Sequence, residues 1–279
     1  MKTNAVIRIV LFSLAIVILS GILAAGLLAG QFSFSIPSFT QDSEKTVSNS
    51  GSVSASEVQN LDIDWVAGSV IVQPGDVDTI TFTEKSAPST DKMVWKQTGN
   101  TLFIEHSKAK VYIGFSIDQS KDLVITVPRD WVCRKLNIDT ASANIQVNDL
   151  QIQDADFDSA SGTCTLTNCN VDNISVDTAS GDVDFTGTFN TIELSAASAK
   201  CSLVLSNVPR QIDVDTMSGD LDITLPSDCG FTVEVDGISG DFSSDFPTTK
   251  SNGSYFYGDG SCRIAVDAVS SDVIIHKGQ

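Results

Sequence analysis

Histidine is nearly missing: of 279 residues only His106 and His276 carry an imidazole, which removes the raw material of most zinc sites and imidazole-based acid–base machinery. Basic residues are also scarce, with 17 Lys plus Arg against 35 Asp plus Glu and a formal charge of -18. A phosphate-binding surface needs concentrated Lys and Arg, so nucleic acid is excluded as a partner. None of the six cysteines, Cys133, Cys164, Cys169, Cys201, Cys229 and Cys262, has CxxC spacing, so a four-thiolate metal centre has no support. Whether they are bridged or stay as buried thiols is open. Beyond the amino terminus no stretch has the apolar period of a long amphipathic helix. What remains is substantial: 42% hydrophobic residues, enough to bury a core and to rule out wholesale disorder.

The first long feature is a run without charge. Ile9 to Gly30 spans 22 residues, about 33 Å as a helix, which is enough to cross a hydrocarbon core. Lys2 and Arg8 precede it, and their charge predicts a short cytoplasmic tail over 1–8, a transmembrane signal anchor over 9–30 and an extracytoplasmic remainder. Ala24, Ala25 and Ala29 leave a cleavable signal peptide as the rival, although its apolar region is usually shorter. The Ser- and Thr-rich stretch 31–58 reads as a linker. It precedes a β domain over 59–279.

That domain repeats. With Ser142, Ser161, Ser180, Ser198, Ser218, Ser239 and Ser270 placed in one column, the intervals are 19, 19, 18, 20, 21 and 31. Four residues earlier stand Ile138, Phe157, Val176, Leu194, Val214, Val235 and Val266, and three residues later Ile145, Cys164, Val183, Cys201, Leu221, Phe242 and Val273. Apolar residues alternate on both sides of the column, so each copy is strand, corner, strand with one buried face. An earlier copy fits with Ala67 at the corner. The next residue is small throughout, including Gly162, Gly181, Gly219 and Gly240, as a tight bend against a neighbouring coil requires. One copy cannot bury its apolar side alone, whereas stacked copies share a core. The expected fold is therefore all-β, a parallel β-solenoid of roughly 18–21-residue coils after one transmembrane helix. An antiparallel β-sandwich is the alternative.

Around this repeat, Ser86 to Thr98 reads as a polar loop or edge excursion and Val111 to Ile117 as a further strand. The extra length between Ser239 and Ser270 reads as an inserted strand or terminal cap, with Phe256 packed inside it and Tyr255 and Tyr257 partly exposed as candidate contacts.

The motif Asp-Thr-x-Ser-Gly-Asp, fullest at Asp177 to Asp182 and Asp215 to Asp220, resembles the bacterial putative-adhesin domain family of unknown function. The likeness spans Leu61 to His276. It implies a membrane-anchored or secreted β-helical envelope protein, with some relatives tied to envelope stress, and it carries over no catalytic residues.

Three residues before the corner, Asp139, Asp158, Asp177, Asp215, Asp236 and Asp267 repeat, with Asp64 ahead of them and Ser195 interrupting the series. Stacking would set these acids in a ladder that needs cations, calcium for instance, or turn hydrogen bonds to relieve it. The chain lacks the EF-hand loop and the Gly-rich nonapeptide calcium repeat. The repeated serines have no G-x-S-x-G elbow beside them. The sequence therefore favours a membrane-anchored scaffold or interaction module of the bacterial cell envelope, without enzymatic activity, meeting an envelope protein or a glycan. A glycan-cleaving enzyme using groove carboxylates is the alternative.

Overall fold

Each repeat is two strands meeting at a corner, and the repeats pile up as parallel coils. The computed structural model describes residues 45–85, 92–106 and 120–278. The 9–30 span, the start of the 31–58 linker and the 111–117 strand candidate lie outside the described residues. Among these residues every regular element is a strand.

The amino-terminal end comprises β1 (Thr46–Val47), β2 (Ser50–Ser54), β3 (Asn60–Gly75), β4 (Thr79–Lys85), β5 (Val94–Thr98), β6 (Thr101–Glu105) and β7 (Lys121–Pro128). The body comprises β8 (Val132–Asn148), β9 (Gln151–Ser161), β10 (Cys164–Ser180), β11 (Val183–Ser198), β12 (Cys201–Leu205), β13 (Gln211–Ser218) and β14 (Leu221–Leu225). The carboxy-terminal end comprises β15 (Phe231–Ser239), β16 (Phe242–Ser244), β17 (Thr249–Ser251), β18 (Ser254–Tyr257), β19 (Cys262–Ser270) and β20 (Val273–Lys277).

In the body the corner column is in register. Ser180 pairs with Ser161 on one side and Ser198 on the other, and Ser198 pairs with Ser218. Phe157, Val176 and Leu194 form one inward row and are almost wholly buried. Each such side chain contributes about 1.5–3 kcal/mol by leaving water. A register shift between Leu166 and Cys169 makes the next coil one residue shorter, which accounts for the interval of 18. Among the described residues antiparallel pairing is confined to the two ends, so they form a stack of parallel coils and not a sandwich.

The spatial order of coils departs from chain order at both ends. Ser218 pairs with Ser270, and Ser270 pairs with Ser239. The coil containing Ser239 is thus outermost, and the later β19 slides in between. The burial patterns give the reason. β19 alternates cleanly, with Cys262, Ile264, Val266 and Ala268 buried, whereas β15 is exposed beyond Val235. The strand able to pack on both edges takes the interior. At the other end β3 lies between β6 and β7 on one side and β8 on the other.

Both outer faces are closed by returning strands. β18 runs antiparallel to β15 and β17 to β18, so the 239–270 excess is a cap. β4 runs antiparallel to β7, β5 to β6, and β2 to β4. Such covers block further strand addition. One expectation changes here. The described part of the 31–58 linker supplies β1 and β2, because alternation brings Val53 inward over β4. Of the loop or edge excursion expected over Ser86 to Thr98, Val94 to Thr98 is a strand, paired with β6 on one side and briefly with β1 on the other. All six cysteines are buried free thiols.

Candidate functional site

The corner motif divides its work among its residues. The hydroxyls of Thr178 and Thr216 donate to the carbonyls of Ser180 and Ser218, two residues on, at 3.3 and 3.2 Å. Ser159 does the same toward Ser161 at 3.0 Å. Gly162, Gly181, Gly219 and Gly240 all have positive φ, +142° at Gly181, where an added Cβ would stand 2.1 Å from the carbonyl oxygen of Gly162. The motif's last acid reaches across coils: Asp182 Oδ1 accepts from the Lys200 amide at 3.2 Å, and Asp272 Oδ1 from the Asp241 amide at 2.9 Å. Asn144 serves Thr163 likewise at 2.9 Å. The turn bonding expected of the Asp139 column thus falls to acids five residues further on. Their place in the motif, after the glycine, was the available signal. Ser142, Ser198, Ser218, Ser239 and Ser270 are solvent-facing members of bends, and Ser142 donates to the Val66 carbonyl at 3.4 Å.

The acidic column is assembled as its spacing implied. In spatial order it runs Glu105, Asp64, Asp139, Asp158, Asp177, Ser195, Asp215, Asp267, Asp236. Glu105 joins from β6, which the corner repeat does not reach. Two residues earlier on the same outer face stand Asp62, Asp156, Glu193, Asp213 and Glu234. Neighbouring strands are about 4.8 Å apart, so like charges face one another down the stack. Among the described residues no three His, Cys, Asp or Glu side chains converge as a metal cage. The line of single carboxylates is a diffuse negative field.

Crowding leaves its mark on protonation. Burial first, then the charges of Asp139, Asp177 and Asp156, push the Asp158 carboxyl up to about 6. Burial also leads the causes that raise Asp62, Asp64, Asp139 and Asp267, with neighbouring carboxylates adding to it. A carboxyl raised in the folded chain holds protons that the unfolded chain has released. Its contribution is therefore full below the ordinary value of 3.8 and is lost as pH rises through about 6. Asp76, Asp245 and Asp259 are lowered by hydrogen bonds, so they act only at pH values below this window. Acidification from about pH 7.5 to about pH 5 is expected to stabilise the fold by about 1 kcal/mol once solvent screening is allowed for. The melting temperature should rise by about 2–4 °C. Asp158→Asn should raise it at the higher pH and flatten the slope; a melting temperature that falls over this range would contradict the repulsive ladder.

Tyr255 and Tyr257 are partly exposed as expected, but Phe256 is not the packed one. On β18 the odd positions face inward: Tyr255 lies 4.1 Å from the Phe242 ring, and Tyr257 lies 4.7 Å from Phe246 and 5.5 Å from Phe231. Phe256 is the exposed one, because strand alternation turns it out. The Tyr255 hydroxyl accepts from Lys250 Nζ at 2.9 Å. His106 packs edge-on against Trp65 at 4.9 Å, and His276 Nδ1 lies 3.3 Å from Asp245.

A family model described as Toastrack DUF4097 matches residues 58–204, more than half of the chain. No curated protein matches. Similar solved structures include a putative adhesin of Bacteroides fragilis, 13% identical, covering 84% of this chain and 98% of that one with a TM-score of 0.44. A putative cell adhesion protein of Clostridium sporogenes is 10% identical, covering 84% and 99%, with a TM-score of 0.37. A putative lipid binding protein of Parabacteroides distasonis is 14% identical, covering 85% and 98%, with a TM-score of 0.36. These likenesses are distant and carry no argument about ligands.

Proposed function

We propose that this chain, which belongs to the Toastrack DUF4097 family, is a membrane-anchored extracytoplasmic scaffold or interaction module of the bacterial cell envelope. The observation that carries the reading is the acidic column along one outer sheet face, broken only at Ser195 and held in register by strands that bury their other side. Such a face steers basic or cation-coated partners and keeps copies of the chain apart. The uncharged run 9–30 behind Lys2 and Arg8 serves as the anchor, with the amino terminus inside and the stack outside. The repeated carboxylates act by charge and not by turnover.

Crosslinking in native membranes tests this reading. It is expected to recover a reproducible envelope partner, with recovery reduced when Asp139, Asp158 and Asp177 are changed together to asparagine. A membrane regulator as main partner would place the module in envelope sensing, and wall glycan alone would place it in adhesion or support. Recovery of no partner, or new reducing ends released from wall polysaccharide, would sink it.

A further inference from the structure

The return loop between β12 and β13 breaks the regularity of the stack. Coils on either side of it differ by 20 residues, against 18 for the coil before. The surplus is taken up at 208–210, where Val208 packs against the core, Pro209 is buried and Arg210 is exposed, and a groove of about 540 Å³ opens to solvent between them and Asp172, Asn190 and Thr191.

The groove's polar groups are held in place before any ligand arrives. Arg210 is pinned through its main chain, its N–H donating to the Asn190 carbonyl at 2.9 Å and its carbonyl accepting from Arg263 at 3.1 Å. Its Nη2 donates to Thr191 Oγ1 at 3.0 Å, which leaves other guanidinium N–H groups to the groove. Asn190 Nδ2 donates to Asp172 Oδ1 at 3.0 Å. Asn207 donates to the Phe189 carbonyl at 2.9 Å and accepts from its amide at 3.0 Å. This loop is locked by the coil beneath it.

We infer that this groove binds a neutral, hydroxyl-rich oligosaccharide, a deepening that rests on the interaction-module reading above. A hydroxyl both donates and accepts, and the groove offers both in fixed positions: carboxylate and amide oxygens from Asp172 and Asn190, N–H groups from Arg210 and Asn190. It carries one charge of each sign, so a free anion meets Asp172 and a free cation meets Arg210. Half-buried Val208 supplies an apolar edge for the C–H face of a sugar ring. The polar groups recur at the coil spacing of about 4.8 Å, and a ligand that repeats its hydroxyls along a chain engages several rungs at once.

The test uses the full chain in a non-glycosidic detergent and three probes: β-1,4-linked tetrasaccharides of glucose and of N-acetylglucosamine, and the α-1,4-linked tetrasaccharide of glucose. Titration is followed by saturation-transfer NMR and calorimetry. Saturable binding of at least one probe is expected, weakened about tenfold by Arg210→Ala and by Asn190→Ala, the loss of one oriented hydrogen bond each. Lys250→Ala, outside the groove, leaves binding unchanged. Where Arg210→Ala lowers the melting temperature, Arg210→Gln, which retains a donor for Thr191, replaces it. No binding of any probe at millimolar concentration, or binding unaffected by both groove variants, would overturn the inference. An envelope partner still crosslinked by the Arg210 variant removes the groove while leaving the module reading in place.

Discussion

Changing Lys121 to methionine is expected to cost about 3–5 kcal/mol of stability, the penalty for stranding a buried charge. Lys121 Nζ lies 2.6 Å from Glu84 Oε1, with both side chains almost wholly excluded from water. The other oxygen of Glu84 accepts the Met93 amide at 2.8 Å, and the Lys121 carbonyl accepts Trp65 Nε1 at 2.9 Å. One ion pair thereby ties β4 and β7 to the first strand of the stack. Removing the lysine leaves a carboxylate with nowhere to go, whereas Lys121→Met with Glu84→Leu restores most of the loss by removing both charges. Urea unfolding of the two variants beside the parent measures the difference. A loss below about 1 kcal/mol in the single variant would mean that water reaches Glu84.

Gly219→Ala is expected to cost about 2–4 kcal/mol through strain and overpacking. Its φ is +139°, and an added Cβ would stand 1.8 Å from the Ala199 carbonyl oxygen, a backbone atom in the coil beneath. The coil cannot swing that oxygen aside without losing ladder bonds. Ala199 itself occupies the same column with ordinary φ and a buried methyl, so Ala199→Gly should cost only about 1 kcal/mol. Thermal melts should show the first variant about 5–15 °C lower. Equal effects from the two changes would remove the close coil approach as the cause.

These two sites mark the boundary of what local pattern reveals. Period-two alternation and the corner column are local, so Ile138, Phe157 and Val176 could be placed facing inward, and Asp139, Asp158 and Asp177 in one line, from spacing alone. Strand order is not local. Ser239 and Ser270 both occupy the corner column, and neither interval says which coil lies next to Ser218. Glu84 and Lys121 look like two ordinary surface charges until β4 folds back over β7. The groove was half visible as an interval of 20, but only the loop's fixed hydrogen bonds bring Arg210 toward Asn190 and Asp172. On β18 the alternation is legible but its phase is not, because the pairing with β15 and β17 that turns Tyr255 and Tyr257 inward lies outside the local sequence.

The displaced order of the last coils bears on synthesis. As the chain emerges, β15 is made before β19, so the corner at Ser239 exists before its neighbour at Ser270 does. The edge of β13 awaits β19, a pairing that spans 52 residues of sequence. Long-range insertion of this kind is slow and exposes unpaired edges while it waits. The completed stack is closed by a layer supplied late, as a keystone is set after the stones on either side.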